Sequence, residues 1–84
     1  MVKSKLKHMR EKVGLSQSEL ADAAGVPIRT LQNYEQGRLD IDQCSFERII
    51  RIAIALGCRV EDILSGDDVI EIVRKYRIAV GDSF

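Results

Sequence analysis

Four residues carry the densest chemistry in this 84-residue chain: Arg29, Gln32, Asn33 and Gln36. At 100° per residue they share one sector of a helix, with no acidic residue among them. An Arg guanidinium pairs bidentately with guanine O6 and N7, and an Asn or Gln amide with adenine N6 and N7. The alternative is an ordinary solvated face, although such faces favour Glu and Lys. Gln17 adds a second polar group at the start of a helix, where unpaired N–H groups and the helix dipole attract phosphate.

Other chemistries find less to work with. Cys44 and Cys58 form no Cys-x-x-Cys, and His8 is the only histidine. No metal site and no cofactor are expected, and the two thiols read as buried and reduced. Nothing near His8 in sequence makes a nucleophile pair with it, so an enzyme is not expected.

The spacing of apolar residues supplies the helices that would position these groups. Leu6, Met9 and Val13 put one face of a helix over 3–13 toward a core, with Gly14 as its C-cap. Ser16 and Glu19 form a capping box for a second helix, which carries Leu20, Ala21 and Ala24 and ends at Gly25. Val26 is expected to be buried in the turn. Pro27 opens a third helix reaching Gln36 and stopping at Gly37, with Leu31 and Tyr34 facing inward. Two short helices joined by a Gly-containing turn make a helix-turn-helix.

Residues 38–44 read as a polar connection. A fourth helix over 45–56 turns Phe46, Ile49, Ile52, Ala53 and Leu56 inward, and Gly57 caps it. A short fifth helix near 60–64 contributes Val60, Ile63 and Leu64. In the tail, Val69, Ile72, Val73 and Tyr76 have helical spacing, while the β-branched content leaves a strand open.

Bulk properties agree with one small all-α domain. Apolar residues make up 45% of the chain, there is one Pro, and aromatic residues are few, so the core must be aliphatic. A chain this short buries roughly 60% of its unfolded surface. The longest apolar run, 52–56, is far short of a membrane span, and the basic N-terminus lacks a signal peptide's apolar stretch; a cytoplasmic location is expected. Thirteen basic and thirteen acidic residues cancel. Residues 1–40 hold seven basic and five acidic groups, so the slight positive surplus lies in the N-terminal half. That predicts weak non-specific attraction to nucleic acid.

The run from Arg10 to Gly37 resembles the Cro/C1-type (XRE) helix-turn-helix family. Leu15-Ser16-Gln17, Leu20-Ala21, Gly25-Val26, Leu31 and Tyr34-Glu35-x-Gly37 stand at that family's spacings, and the likeness extends over about residues 4–65. It implies an all-α, five-helix, lambda-repressor-like DNA-binding domain over 1–65. Residues 66–84 lie outside the resemblance; they read as a short C-terminal extension, helical by spacing with the strand alternative open, whose apolar residues suit dimerisation. By position, the resemblance puts Ile28, Arg29, Gln32 and Asn33 on bases, and Gln17, Thr30 and Arg38 on the DNA backbone. It makes Arg10 and Glu35 a structural ion pair. Ile28 has no hydrogen bond to donate, so it packs on a thymine methyl or belongs partly to the core. The implied function is transcriptional regulation, as a repressor binding an inverted-repeat operator in double-stranded DNA as a homodimer. The alternative is an antitoxin or another protein-interaction module with the same fold, whose partner is a toxin or another protein.

Overall fold

The computed structural model describes residues 4–81. They form five α-helices and no strand: α1 (Lys5–Val13), α2 (Gln17–Ala24), α3 (Ile28–Glu35), α4 (Phe46–Leu56) and α5 (Asp67–Val80). Single 3₁₀ turns at Ile41–Gln43 and Val60–Asp62 interrupt the links before and after α4. This is the all-α, lambda-repressor-like arrangement.

Local chemistry marks the helix ends. Ser4, Ser16 and Ser45 accept the N–H of Lys7, Glu19 and Arg48, which satisfies donors that have no partner within the helix. At α2 the capping box is complete: the Ser16 N–H also donates to Glu19 Oε1 at 2.8 Å. Gly25 closes α2 at φ +66°, a left-handed conformation that a side chain would oppose. The chain then turns within two residues into α3, and the Val26 N–H donates back to the Ala21 carbonyl.

The core is aliphatic. Leu6, Leu20, Leu31, Ile52, Ile63 and Leu64 are its largest fully buried side chains. α2 packs chiefly on α4 and α3, with Ala21 and Ala24 buried at these contacts, where small side chains let helix axes approach. Tyr34 is buried as well, and its hydroxyl accepts a 3.2 Å hydrogen bond from Arg48 on α4. The inner face of α3 is thereby fixed, and its outer face is left to solvent.

Several sequence expectations need correction. The helix expected near 60–64 is one 3₁₀ turn: Asp62 and Ile63 donate three residues back, and Asp62 caps the Arg59 N–H. Ile63 and Leu64 are buried as expected, but the fifth α-helix is the tail, so the strand alternative is excluded for 67–80. The polar connection holds a buried apolar residue, Ile41, inside its 3₁₀ turn. Pro27 precedes α3 as its N-cap, and the helix stops at Glu35, with Gln36 as C-cap. Val13 is exposed, because α1 ends there and Leu15, beyond the turn, packs on the core instead. Phe46 is 76% exposed, since it opens α4 a turn before the buried stretch starts at Ile49. Cys44 and Cys58 are free but only half-buried. Partial burial nonetheless raises both thiol pKa values.

α5 is held at its start by a contact remote in sequence. The Asp42 carboxylate accepts the N–H of Ser65 at 2.7 Å and of Gly66 at 2.6 Å. A Cβ on Gly66 would lie 2.7 Å from Asp42 Oδ2, so any larger residue would push that carboxylate out of place. Val69, Ile70 and Val73 then pack against the core, and Arg77 pairs with Glu61 at 3.1 Å.

Candidate nucleic-acid interface

The polar sector of α3 faces outward. Arg29 and Gln36 are exposed, while Gln32 and Asn33 are half-buried at the base of the same face. Together with Arg38 they line an open polar groove of about 460 Å³. The structure therefore brings the sequence-derived polar set into one continuous surface. Arg38 joins it because the Asn33 carbonyl accepts the N–H of Arg38 at 2.9 Å and of Leu39 at 3.2 Å, folding the chain back against the end of α3. Ile28, at the opposite end of the helix, is 41% exposed and lies outside the buried core. Thr30 is half-buried beside it.

Behind this face lies a hydrogen-bonded network that joins three helices. Arg10 on α1 donates from Nε to Glu35 Oε2 at 2.6 Å and from Nη2 to Glu35 Oε1 at 3.0 Å. Its third nitrogen donates to the Leu15 carbonyl at 2.9 Å. Both residues are buried, and the bond to Glu35 raises the Arg10 pKa, outweighing the opposing effect of burial. Gln17, the first residue of α2, donates to Glu35 Oε1 at 3.1 Å. Its own carbonyl oxygen accepts from Gln32 Nε2 on α3 at 3.3 Å.

Sequence spacing placed Gln17 and Gln32 in separate roles, one toward phosphate and one toward bases. In the folded chain they are partners. No pattern within one helix signals this contact, because the residues are 15 positions apart on different helices. Each amide keeps hydrogen-bonding capacity beyond the bond it makes here, since an amide offers two donors and two acceptor sites. Gln17 also stands at the α2 N-terminus, beside the Ser16–Glu19 capping box. The hydrogen bonds from Ser16 lower the Glu19 pKa.

The resulting surface is a short helix whose outward side offers guanidinium and amide groups, flanked by a helix N-terminus on one side and Arg38 on the other. Its span can be set against known families. The helix-turn-helix family model matches residues 6–63. The chain belongs to the Cro/C1-type (XRE) helix-turn-helix family. The match covers α1 to α4 and the 3₁₀ turn that follows, and it stops before α5. No curated protein matches the chain.

As an XRE-family protein the chain carries a DNA-binding helix-turn-helix domain. α2 and α3 are its two helices, and α3 is the second of the pair, the one that enters the major groove in helix-turn-helix domains. Among the described residues no helix is long and apolar enough to cross a membrane.

Proposed function

We propose that this protein is a sequence-specific transcriptional regulator, acting as a repressor that binds an inverted-repeat operator as a homodimer. The observation that carries the reading is the outward face of α3, where Arg29, Gln32 and Asn33 stand on one side of a helix locked into the core by Leu31 and Tyr34. In this reading Arg29 and Asn33 hydrogen-bond base edges and Gln32 assists them. Ile28 adds an apolar contact to a thymine methyl, consistent with its exposure. Gln17, Thr30 and Arg38 hold the sugar-phosphate backbone, with Gln17 placed at a helix N-terminus that favours anions. Arg10 and Glu35 stay out of the contact and keep α1 and α3 at a constant angle. Residues 1–65 make up the DNA-binding unit and 66–84 the extension that supports dimerisation.

The neutral net charge bears on mechanism. With little basic surplus, affinity rests on contacts at the site rather than on general attraction to phosphate. A homodimer doubles those contacts, and its two-fold axis demands half-sites about one helical turn apart.

The test is selection of duplexes from a random library by the full chain, repeated at two salt concentrations. Recovery of an inverted repeat, with affinity lost in Arg29→Ala and Gln17→Ala, supports the reading. Absence of any duplex binding at low salt, with a stable complex to a protein encoded alongside it, would replace it with the antitoxin reading.

A further inference from the structure

Of the five helices, α5 alone has no fully buried side chain. Val69, Ile70 and Val73 lie half-buried against the core, and Arg77 meets Glu61. Gly66, the N-cap, offers no side chain to the start of the helix. The polar hold there comes from Asp42, whose carboxylate accepts the N–H of Ser65 at 2.7 Å and of Gly66 at 2.6 Å. An anion in that place also suits the positive end of the helix dipole. A helix with so few buried apolar contacts opens locally while the rest of the fold stays formed.

Asp42 is four residues from Arg38, which is placed above on the sugar-phosphate backbone. The segment between them is tied at both ends. Arg38 and Leu39 donate their N–H groups to the Asn33 carbonyl on α3, and the Asp42 N–H donates to Asp40 Oδ1 at 3.0 Å. Buried Ile41 pins the middle. One course of residues 38–42 therefore sets Arg38 beside the polar groove of α3 and Asp42 against the start of α5.

We infer that α5 is a strap whose seating on Asp42 is coupled to duplex binding through residues 38–42, with Asp42 a positioning residue for Arg38. The inference rests on the DNA reading above and adds regulation to it. The strap has two states, seated and released. A duplex that grips Arg38 holds the segment in the course the seated state requires, so it binds that state more tightly and draws the population toward it. The coupling is mutual: whatever lifts α5 from Asp42 weakens the hold on DNA by the same factor. A partner that takes hold of α5 thus acts on the α3 surface without touching it. The family match ends at residue 63, so the two donors, Ser65 and Gly66, lie outside it, and the coupling belongs to this chain's own extension.

Residue-resolved amide exchange of the full chain tests the inference, with the chain alone and then saturated with the duplex recovered from the random library. In the free chain the amides of Ser65, Gly66 and α5 should exchange faster than those of α4. The duplex should slow Ser65 and Gly66 by about 5-fold or more, the lower end of usual coupling. At saturating duplex this protection should vanish in Arg38→Ala and persist in Thr30→Ala, which removes a different backbone contact. Dimerisation alone would protect α5 equally in both variants. Gly66→Ala displaces the Asp42 carboxylate without changing the charge. It should weaken duplex binding, by a factor no larger than the duplex's own effect on α5 opening, and leave exchange in α1 to α4 unchanged. A bound duplex that does not slow Ser65 and Gly66, equal protection in Arg38→Ala and wild type, or wild-type affinity in Gly66→Ala would each overturn the coupling and leave the DNA reading standing. A chain that binds no duplex defeats the DNA reading, and this inference with it.

Discussion

Replacing Arg10 by Met should destabilise the protein far more than a change to an exposed charged residue. The side chain of Glu35 is 2% exposed, and Arg10 supplies two of the three hydrogen bonds it receives. Arg10→Met leaves a buried carboxylate held only by Gln17. Breaking a buried ion pair on one side costs about 3–5 kcal/mol. A domain of this size has about 4–13 kcal/mol of stability in all, so the loss is a large share of it. Thermal midpoints move by about 4–8 °C per kcal/mol in a domain of this length, which gives a fall of at least ~12 °C. The double substitution Arg10→Met with Glu35→Met should recover part of the loss. It cannot recover all of it, because the Leu15 carbonyl and the Gln17 amide lose their partners, and an unpaired polar group costs about 1–3 kcal/mol where it stays buried. Urea denaturation followed by circular dichroism of the wild type, both single variants and the double variant closes the cycle. A loss below ~1 kcal/mol for Arg10→Met, the range of an exposed pair, would refute the argument that the pair is energetically buried.

Three further outcomes follow from other contacts. Gly66→Ala should lower stability by about 1.5–3 kcal/mol, because the added Cβ displaces a carboxylate that accepts two N–H groups; Asp42→Ala should cost a similar amount, and the two should not add. The Glu19 pKa is lowered in the fold, so its contribution is present above the unfolded carboxylate value and fades as pH falls through the lower folded value; Glu19→Gln should flatten that part of the acid stability profile measured by circular dichroism. The Cys44 and Cys58 thiols are raised by burial, so stability should decline as pH rises past the unfolded thiol value, and alkylation by iodoacetamide near pH 8 should be slower in the folded chain than in urea.

How much of this was legible beforehand depends on the range of the interaction. The α2 boundaries followed from Ser16, Glu19 and Gly25, whose effects act within four residues, and the structure keeps all three. The polar sector of α3 followed from the helical period alone. The inner face of α4 was legible except at Phe46, because periodicity assigns a side but not how far along the helix the core extends. The same limit accounts for Val13. At 60–62 the sequence does not separate a helix from a turn, because the helical spacing of Val60, Ile63 and Leu64 is also satisfied by one 3₁₀ turn. What stayed hidden was non-local. Asp42 meets Ser65 and Gly66 across more than 20 residues, and Gln17 meets Gln32 from another helix. The resemblance supplied Arg10 with Glu35; neither residue's spacing announces the other. It supplied no account of α5, which lies beyond the matched span.

The central proposal is that the outward face of α3 reads base identity, and a position-by-position binding measurement on Asn33→Ala tests it most directly. Fluorescence anisotropy would follow wild type and variant on the selected duplex and on duplexes changed one base pair at a time. The proposal predicts a loss of about 1–3 kcal/mol on the selected duplex, and discrimination relaxed at one base pair in each half-site and kept at the others. An equal loss on every duplex, with the wild-type pattern of preference intact, would contradict it and make Asn33 a backbone or structural residue.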